Sequence, residues 1–148
     1  FHLCRVAGMD VKEIDDLFNK RSGLKGLTGH NDMRVVRGLA EEGDESAILA
    51  LGVYTHRLRK YIGAYAAVMG GIDALTFTAG VGENNVELRA EVAEGLGFLG
   101  IHVDPDRNAV RASGPHVISP DGAAVTVLVV PTNEELEIAR QSVALLEN

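Results

Sequence analysis

The sequence is short of cysteine and of basic charge. Cys4 is its only cysteine, so it can form neither an internal disulfide nor a zinc site of thiolates, and we expect a reducing, cytoplasmic location. The net charge of −7 leaves no broad basic field for nucleic acid or an anionic membrane. No apolar run approaches the roughly 20 residues of a membrane span. We therefore predict neither nucleic acid nor membrane as a partner.

The composition is that of a globular domain. The 148 residues are 46% hydrophobic and 24% charged, which is enough for one domain with a core. The chain begins at Phe1, in the middle of an apolar pattern. We therefore expect it to be part of a longer protein.

Helical signals dominate the first half of the chain. Asp10 and Glu13 form a capping box for a short helix that Gly23 ends, and the glycine-rich residues 23–31 are predicted to be irregular. Asp44 caps a long helix that runs to about Met69, where two glycines stop it. Its apolar stripe is predicted to comprise Ile48, Leu51, Thr55, Leu58, Ile62, Tyr65 and Met69.

Strands and helices alternate in the second half, which predicts an α/β fold with parallel pairing. Residues 74–79 are predicted to form an interior strand, 101–103 and 117–118 short strands, and 125–130 a central strand buried on both faces. A helix is predicted over about 85–96 and another from Glu134. The apolar side of that last helix is predicted to consist of Leu136, Ile138, Ala139, Val143 and Leu146.

Two predicted strands end in turns that lead into helices. The first turn contains Gly80 and Gly82, which allow a ligand to approach the backbone, and Asn84 or Asn85 can cap the next helix. The second turn places Glu134 and Glu135 at a helix start. If the strands are parallel neighbours, both turns lie at one sheet edge, where α/β folds bind ligands. A nucleotide with Mg²⁺ needs both kinds of group.

The residues alone leave simpler interpretations open. The glycine turn is also typical of a strand-to-helix connection without a ligand, because Gly-x-Gly is a weak signal. Acidic residues at a helix start, such as Glu134 and Glu135, also complement the helix dipole. Asp32 and Arg34 form either a solvated pair or a nucleotide contact in which Asp32 holds a ribose hydroxyl or fixes Arg34.

A dinucleotide-binding domain is a second nucleotide hypothesis. Gly80 and Gly82 follow a strand, and Asp104 comes about twenty residues later near a predicted short strand, as the dinucleotide fingerprint requires. Asn85 stands where the third glycine of that fingerprint belongs, and a long helix precedes the unit. Both departures weigh against this hypothesis.

Several motifs, in order along the chain, resemble the C-terminal part of the acetate kinase (acetokinase) family. The motifs are Ser22-Gly23-Leu24-Lys25-Gly26-Leu27, Asn31-Asp32-Met33-Arg34, Tyr61-Ile62-Gly63-Ala64-Tyr65, Asp73-Ala74-Leu75-Thr76-Phe77-Thr78-Ala79-Gly80-Val81-Gly82-Glu83-Asn84, Gly97-Phe98-Leu99-Gly100-Ile101 and Val129-Val130-Pro131-Thr132-Asn133-Glu134-Glu135. Propionate kinases share many of them. The resemblance implies the acetate and sugar kinase/Hsp70/actin fold, with ribonuclease-H-like domains.

The resemblance also implies an activity and a site. The family converts ATP and acetate reversibly to ADP and acetyl phosphate with Mg²⁺ (or Mn²⁺), and it forms homodimers. By that likeness Glu134, the first glutamate after the asparagine, is the magnesium-associated carboxylate. The adenosine-binding residues implied by the same likeness are Asp32, Met33, Arg34, Gly80, Val81, Gly82, Glu83 and Asn84.

The resemblance places the catalytic groups elsewhere. The family's N-terminal domain, the first strands of this domain, the phosphate loop and the transition-state histidine and arginine all precede the matched part. Because phosphoryl transfer depends on charges that clamp the moving group, residues 1–148 alone are expected to be inactive. The acyl preference, acetate or propionate, is not specified by these residues.

Overall fold

A computed structural model describes residues 1–146, which fall into two compact units, Phe1–Leu58 and the part of Arg59–Asn148 that is described. The first unit is helical and comprises α1 (His2–Ala7), α2 (Val11–Lys20), α3 (Gly23–Thr28), α4 (Met33–Glu41) and the first part of α5 (Glu45–Met69). The predicted capping box is confirmed. Asp10 N–H donates to Glu13 Oε2 at 2.8 Å, and Glu13 N–H donates to Asp10 Oδ1 at 2.8 Å.

The prediction that residues 23–31 are irregular is wrong, because this stretch contains α3. Two of its glycines stand at the helix ends: Gly23 is the first residue, with φ +63°, and Gly29 is the C-cap, with φ +80°. Glycine in this left-handed region ends a helix without steric cost. The glycines therefore delimit a short helix rather than prevent one. Helix α4, which Asp32 caps, was not predicted either.

The bounds of α5 are confirmed, whereas its predicted apolar stripe is only partly buried. Asp44 Oδ1 accepts a hydrogen bond from Ala47 N–H at 2.8 Å, and Gly70 and Gly71 after the helix both have positive φ. Leu51 and Thr55 of the stripe are buried, while Ile48, Tyr65 and Met69 are exposed. Small side chains on the same helix are buried; they are Ala47, Ala50 and Ala66.

The second unit is built on a three-stranded sheet with the order β1-β3-β2. Its strands are β1 (Ala74–Phe77), β2 (His116–Val117) and β3 (Thr126–Val129), and its helices are α6 (Ala79–Asn84), α7 (Val86–Glu94), α8 (Pro105–Ala109) and α9 (Glu134–Leu146). Strands β1 and β3 pair in parallel, as predicted, and β2 pairs antiparallel with β3. The central position of β3 is therefore confirmed within a mixed sheet.

Within residues 1–146 the sheet is covered on one face only, so the prediction that β3 is buried on both faces is wrong. Val127 and Val129 are buried, whereas Thr126 is exposed and Leu128 is half-buried. Strand β1, predicted to be interior, lies at the edge of this sheet, and only its Phe77 is buried. Side chains alternate across a strand, so β1 and β3 share one covered face and one outer face.

Two further predictions in this unit need correction. Residues 101–103 form no strand; Ile101 is buried in an irregular segment, and Asp104 caps α8. Helix α9 begins at Glu134 as predicted, but its predicted apolar side is exposed along the whole described helix. The apolar residues do form part of a helix, as their spacing predicts, but no other described residue buries them.

Candidate functional site

The ends of β1 and β3 bring the two predicted turns to one edge of the sheet. In the parallel register Phe77 pairs with Val129, and Val130 N–H donates to the Phe77 carbonyl at 2.9 Å. Helix α6 begins one residue after the end of β1, beyond Thr78, and α9 begins after the four residues 130–133 that follow β3. The prediction that both turns lie at the same sheet edge is confirmed.

A carboxylate joins the two turns. Glu83 Oε1 accepts hydrogen bonds from the Thr132 N–H at 2.8 Å and from the Thr132 hydroxyl at 2.9 Å. These donors stabilise the charged form, and the Thr132 backbone N–H is the largest cause of the lowered pKa of Glu83. The Glu83 carboxylate thus fixes the second turn against the first.

The first turn is a short helix, α6, rather than an open glycine loop. Its left-handed residue is Ala79, with φ 59°, an uncommon and strained conformation for a side chain with a Cβ atom. Gly82 is needed for a different reason, because a Cβ atom there would lie 3.2 Å from the Phe77 carbonyl carbon. Asn85 caps α7 as predicted, its Oδ1 accepting from Leu88 N–H at 2.8 Å.

A buried arginine holds the end of α6. Arg89 is 1% exposed, and its guanidinium donates to the carbonyls of Gly82 at 2.8 Å and Glu83 at 2.7 Å. It also donates to Asn108 Oδ1 at 2.7 Å and to the Asn108 carbonyl at 2.8 Å. Burial lowers the pKa of Arg89. The sequence contains one signal of its burial. Arg89 lies three, four and seven residues before the buried positions 92, 93 and 96, a spacing that places it on the apolar face of the helix.

The other predicted nucleotide residues, Asp32, Met33 and Arg34, lie at the start of α4 in the first unit. Arg34 donates to Asp32 through Nε at 3.1 Å and through a terminal nitrogen at 2.6 Å. The hydrogen bond from the Arg34 side chain, followed by the one from the Arg34 backbone N–H, lowers the pKa of Asp32 to about 2. Asp32 in turn raises the pKa of Arg34. The Arg34 side chain is 91% exposed, whereas Met33 is buried. Asp32 therefore orients an accessible guanidinium.

Glu134 lies at the first turn of α9, where Asn133 Oδ1 accepts from Leu136 N–H at 3.1 Å. Glu135 and Glu137 lie in the same turn. Within residues 1–146, no group of three or more His, Cys, Asp or Glu side chains is arranged to hold a metal ion. A single carboxylate fits Mg²⁺ when water and substrate phosphates supply the other ligands, so the residues present fit a shared magnesium site.

The geometry contradicts the dinucleotide fingerprint. Gly80 and Gly82 lie inside α6, and Asp104 Oδ1 accepts from Arg107 N–H at 2.9 Å as the cap of α8. The strand predicted before Asp104 is absent from the described residues. Asp104 therefore lacks the strand-end position from which that fingerprint's acidic residue binds a ribose.

Among the helices of residues 1–146, none combines the length and the apolar character that crossing a membrane requires.

Comparison with known proteins agrees with the motif pattern. A model of the acetokinase family matches residues 1–140. An acetate kinase from Leifsonia xyli subsp. xyli is 64% identical over 142 residues, which are 96% of this chain and 36% of that relative. The chain thus spans about 36% of the length of the curated relatives it matches.

Solved structures give the same result. The acetate kinase of Porphyromonas gingivalis superposes with a TM-score of 0.86 at 41% identity, over 97% of this chain and 36% of that one. A propionate kinase from Francisella tularensis superposes with a TM-score of 0.82 at 38% identity, over 93% of this chain and 35% of that one. The predicted acetate and sugar kinase/Hsp70/actin fold is confirmed. The chain belongs to the acetokinase family.

Proposed function

We propose that the chain is the C-terminal part of an acetate kinase that converts ATP and acetate reversibly to ADP and acetyl phosphate. The observation that carries the proposal is the pair of helix starts, α6 and α9, which parallel strands bring to one sheet edge and which Glu83 joins through Thr132. Family membership supports the reaction class. In this proposal the chain supplies the nucleotide side of the site.

Each predicted site residue has a proposed role. Residues 80–84 of α6 bind the adenosine end of the nucleotide through close backbone approach. Arg34, which Asp32 orients, stacks on or pairs with the nucleotide. Met33, although its side chain is buried, lines the adenosine side together with this pair. Glu134 helps to hold Mg²⁺ or Mn²⁺, and the ion supplies charge neutralisation for the phosphates when it is bound.

The residues that perform the transfer belong, in this proposal, to the upstream part of the protein. That part contains the N-terminal domain, the first strands of this domain, the phosphate loop and the transition-state histidine and arginine. The exposed apolar side of α9 supports it, since apolar surface of this kind is normally buried. We further propose a cytoplasmic homodimer, and that residues 1–148 alone catalyse no transfer.

Propionate kinase is the second candidate, because the Francisella tularensis propionate kinase has the same fold at 38% identity. The acyl group is bound largely outside this chain in either case. The ratio of kcat/KM for acetate to that for propionate, measured on the full-length protein, distinguishes the two.

The direct test is to trap acetyl phosphate as its hydroxamate, using the full-length protein and residues 1–148 in parallel with acetate, ATP and Mg²⁺. We expect turnover from the full-length protein only. If the full-length protein forms no acyl phosphate from acetate or from propionate, the kinase proposal is wrong. If residues 1–148 form product, the proposal that they are inactive alone is wrong. Calorimetry with Mg–ADP and NAD on the full-length protein completes the test, because selective NAD binding would favour a dinucleotide enzyme.

A further inference from the structure

We propose that Arg89 and Asn108 form a positioning pair that fixes the orientation of α6 and thereby sets the affinity for the nucleotide. This inference rests on the proposed function, in which α6 carries the adenosine-binding residues. Neither residue was among the predicted site residues, and neither has a role in the transfer chemistry proposed above. They act through the backbone of α6.

The hydrogen bonds of the pair connect three segments. Arg89, on α7, donates to the Gly82 and Glu83 carbonyls of α6 and to both oxygens of Asn108 on α8. Asn108 Nδ2 in turn donates to the Val86 carbonyl at the start of α7 at 2.9 Å. Both residues are buried, Arg89 at 1% and Asn108 at 2% exposure. The end of α6 is thus fixed against α7 and α8 together.

The presence of arginine at position 89 indicates that the side chain positions α6 rather than only filling the core. Every partner that these hydrogen bonds give Arg89 is a carbonyl or amide oxygen, so no carboxylate takes part in them. A buried charge is costly, and an apolar side chain of similar volume often stabilises as well or better. A planar guanidinium with several donors, however, fixes the carbonyls it binds in one geometry. That directional constraint is what an apolar side chain would lack.

The start of α6 explains why such a constraint is needed. Ala79 has φ 59°, and a left-handed conformation costs roughly 1–2 kcal/mol for a residue other than glycine. The helix has only six residues, so its own hydrogen bonds are too few to hold a strained start. Holding the other end through Arg89 keeps Ala79 in this conformation. Strain of this kind persists only where the surroundings enforce it.

The test uses the full-length enzyme with Arg89→Lys and Asn108→Ala. The matched control is Arg107→Lys, because Arg107 is in the same unit and donates to the Ser119 carbonyl at 2.9 Å and to Asp121 at 2.8 Å, without touching α6. We expect both test variants to raise the KM for ATP and the Kd for Mg–ADP roughly tenfold, while the KM for acetate stays within about twofold. We expect the control to change none of these constants beyond about twofold.

The contrast between ATP and acetate separates positioning from stability. Assays at a temperature well below each variant's unfolding midpoint keep the folded fraction constant, and a merely structural role would then leave the KM for ATP unchanged. An unchanged KM for ATP in both variants, or an equal rise for acetate, would overturn the proposal. If Arg89→Lys does not fold, Asn108→Ala decides the result. Calorimetric Mg–ADP binding keeps the proposal separate from the proposed function: a wild type that binds ADP without forming acetyl phosphate contradicts only the kinase assignment.

Discussion

Two arginines, one in each unit of the chain, show how the same side chain serves opposite purposes. Arg34 has a side chain 91% exposed and is bound to an aspartate two residues away. Arg89 is 1% exposed and binds oxygens on two other helices, α6 and α8, up to 19 residues away in sequence. A neighbouring carboxylate raises the pKa of Arg34, whereas burial lowers the pKa of Arg89. The exposed arginine is available to a ligand, and the buried one organises backbone.

The largest expected effect comes from removing the buried arginine. Arg89→Met leaves the buried oxygens of Asn108 and the part-buried carbonyls of Gly82 and Glu83 without their donor, and we expect it to lower the free energy of unfolding by about 3 kcal/mol. Urea unfolding of the full-length protein, followed by circular dichroism, measures the loss. Arg34→Met is the matched control and should leave the urea midpoint unchanged. Equal effects of the two variants would remove the distinction between these arginines.

The two glycines of α6 should respond in opposite directions to alanine. At Gly82 the new Cβ atom would lie 3.2 Å from the Phe77 carbonyl carbon, whereas at Gly80 it would meet nothing within 4 Å. We expect Gly82→Ala to destabilise by about 1–2 kcal/mol and Gly80→Ala to stabilise by up to about 1 kcal/mol, since alanine favours helix. The same urea unfolding measures both. Effects of the same sign would contradict the close approach of Gly82 to β1.

The bond between the two turns should weaken in acid. The Thr132 donors lower the pKa of Glu83, so its stabilising contribution is present above the ordinary carboxyl pKa of 4.5 and is lost as the pH falls through the lower folded value. Glu83→Gln should therefore reduce the thermal midpoint at pH 7 and make less difference at pH 3. Glu94→Gln, on the exposed side of α7, is the control. If Glu83→Gln lowers the thermal midpoint equally at pH 7 and pH 3, the Glu83 carboxylate does not stabilise the fold through its bonds to Thr132.

The smallest effect on stability belongs to the exposed pair at α4, because solvent screens it. Asp32 has a pKa of about 2, below its ordinary 3.8, so the pair's contribution is complete above about pH 4 and is lost as the pH falls toward 2. Carbon NMR titration of the Asp32 carboxyl should show a midpoint near 2, and Arg34→Gln should move it back toward 3.8. A midpoint that does not respond to Arg34→Gln would show that the pair does not form.

The predictions from sequence succeeded where the contacts are local. Asp10 with Glu13, Asp44 with the start of α5, and Asn85 with α7 are caps that span three residues, and their residue types specify them. The parallel pairing of β1 and β3 followed from the alternation of strands and helices. The shared sheet edge of the candidate site followed from that pairing.

The predictions failed where burial depends on distant segments. Residues 125–130 are apolar throughout, yet Thr126 is exposed because the described chain covers only one sheet face. The segment 101–103 has strand-like residues, but its backbone does not join the sheet. The proposed role of Arg89 depends on its hydrogen bonds to Asn108, and no local sequence pattern indicates a hydrogen-bond partner 19 residues away. Gly23 and Gly29 mark the ends of α3. From sequence alone, a stretch with several glycines indicates irregular structure rather than a short helix.

The free side of β1 has a consequence for handling the chain. Strand β1 is an edge of the three-stranded sheet, and an unpaired edge offers its N–H and C=O groups to any other strand. Thr76 of this strand is exposed, and β-branched residues favour strand structure. Residues 1–148 on their own should therefore self-associate as their concentration rises, and a strand from the proposed upstream part, supplied in trans, should compete for the same edge.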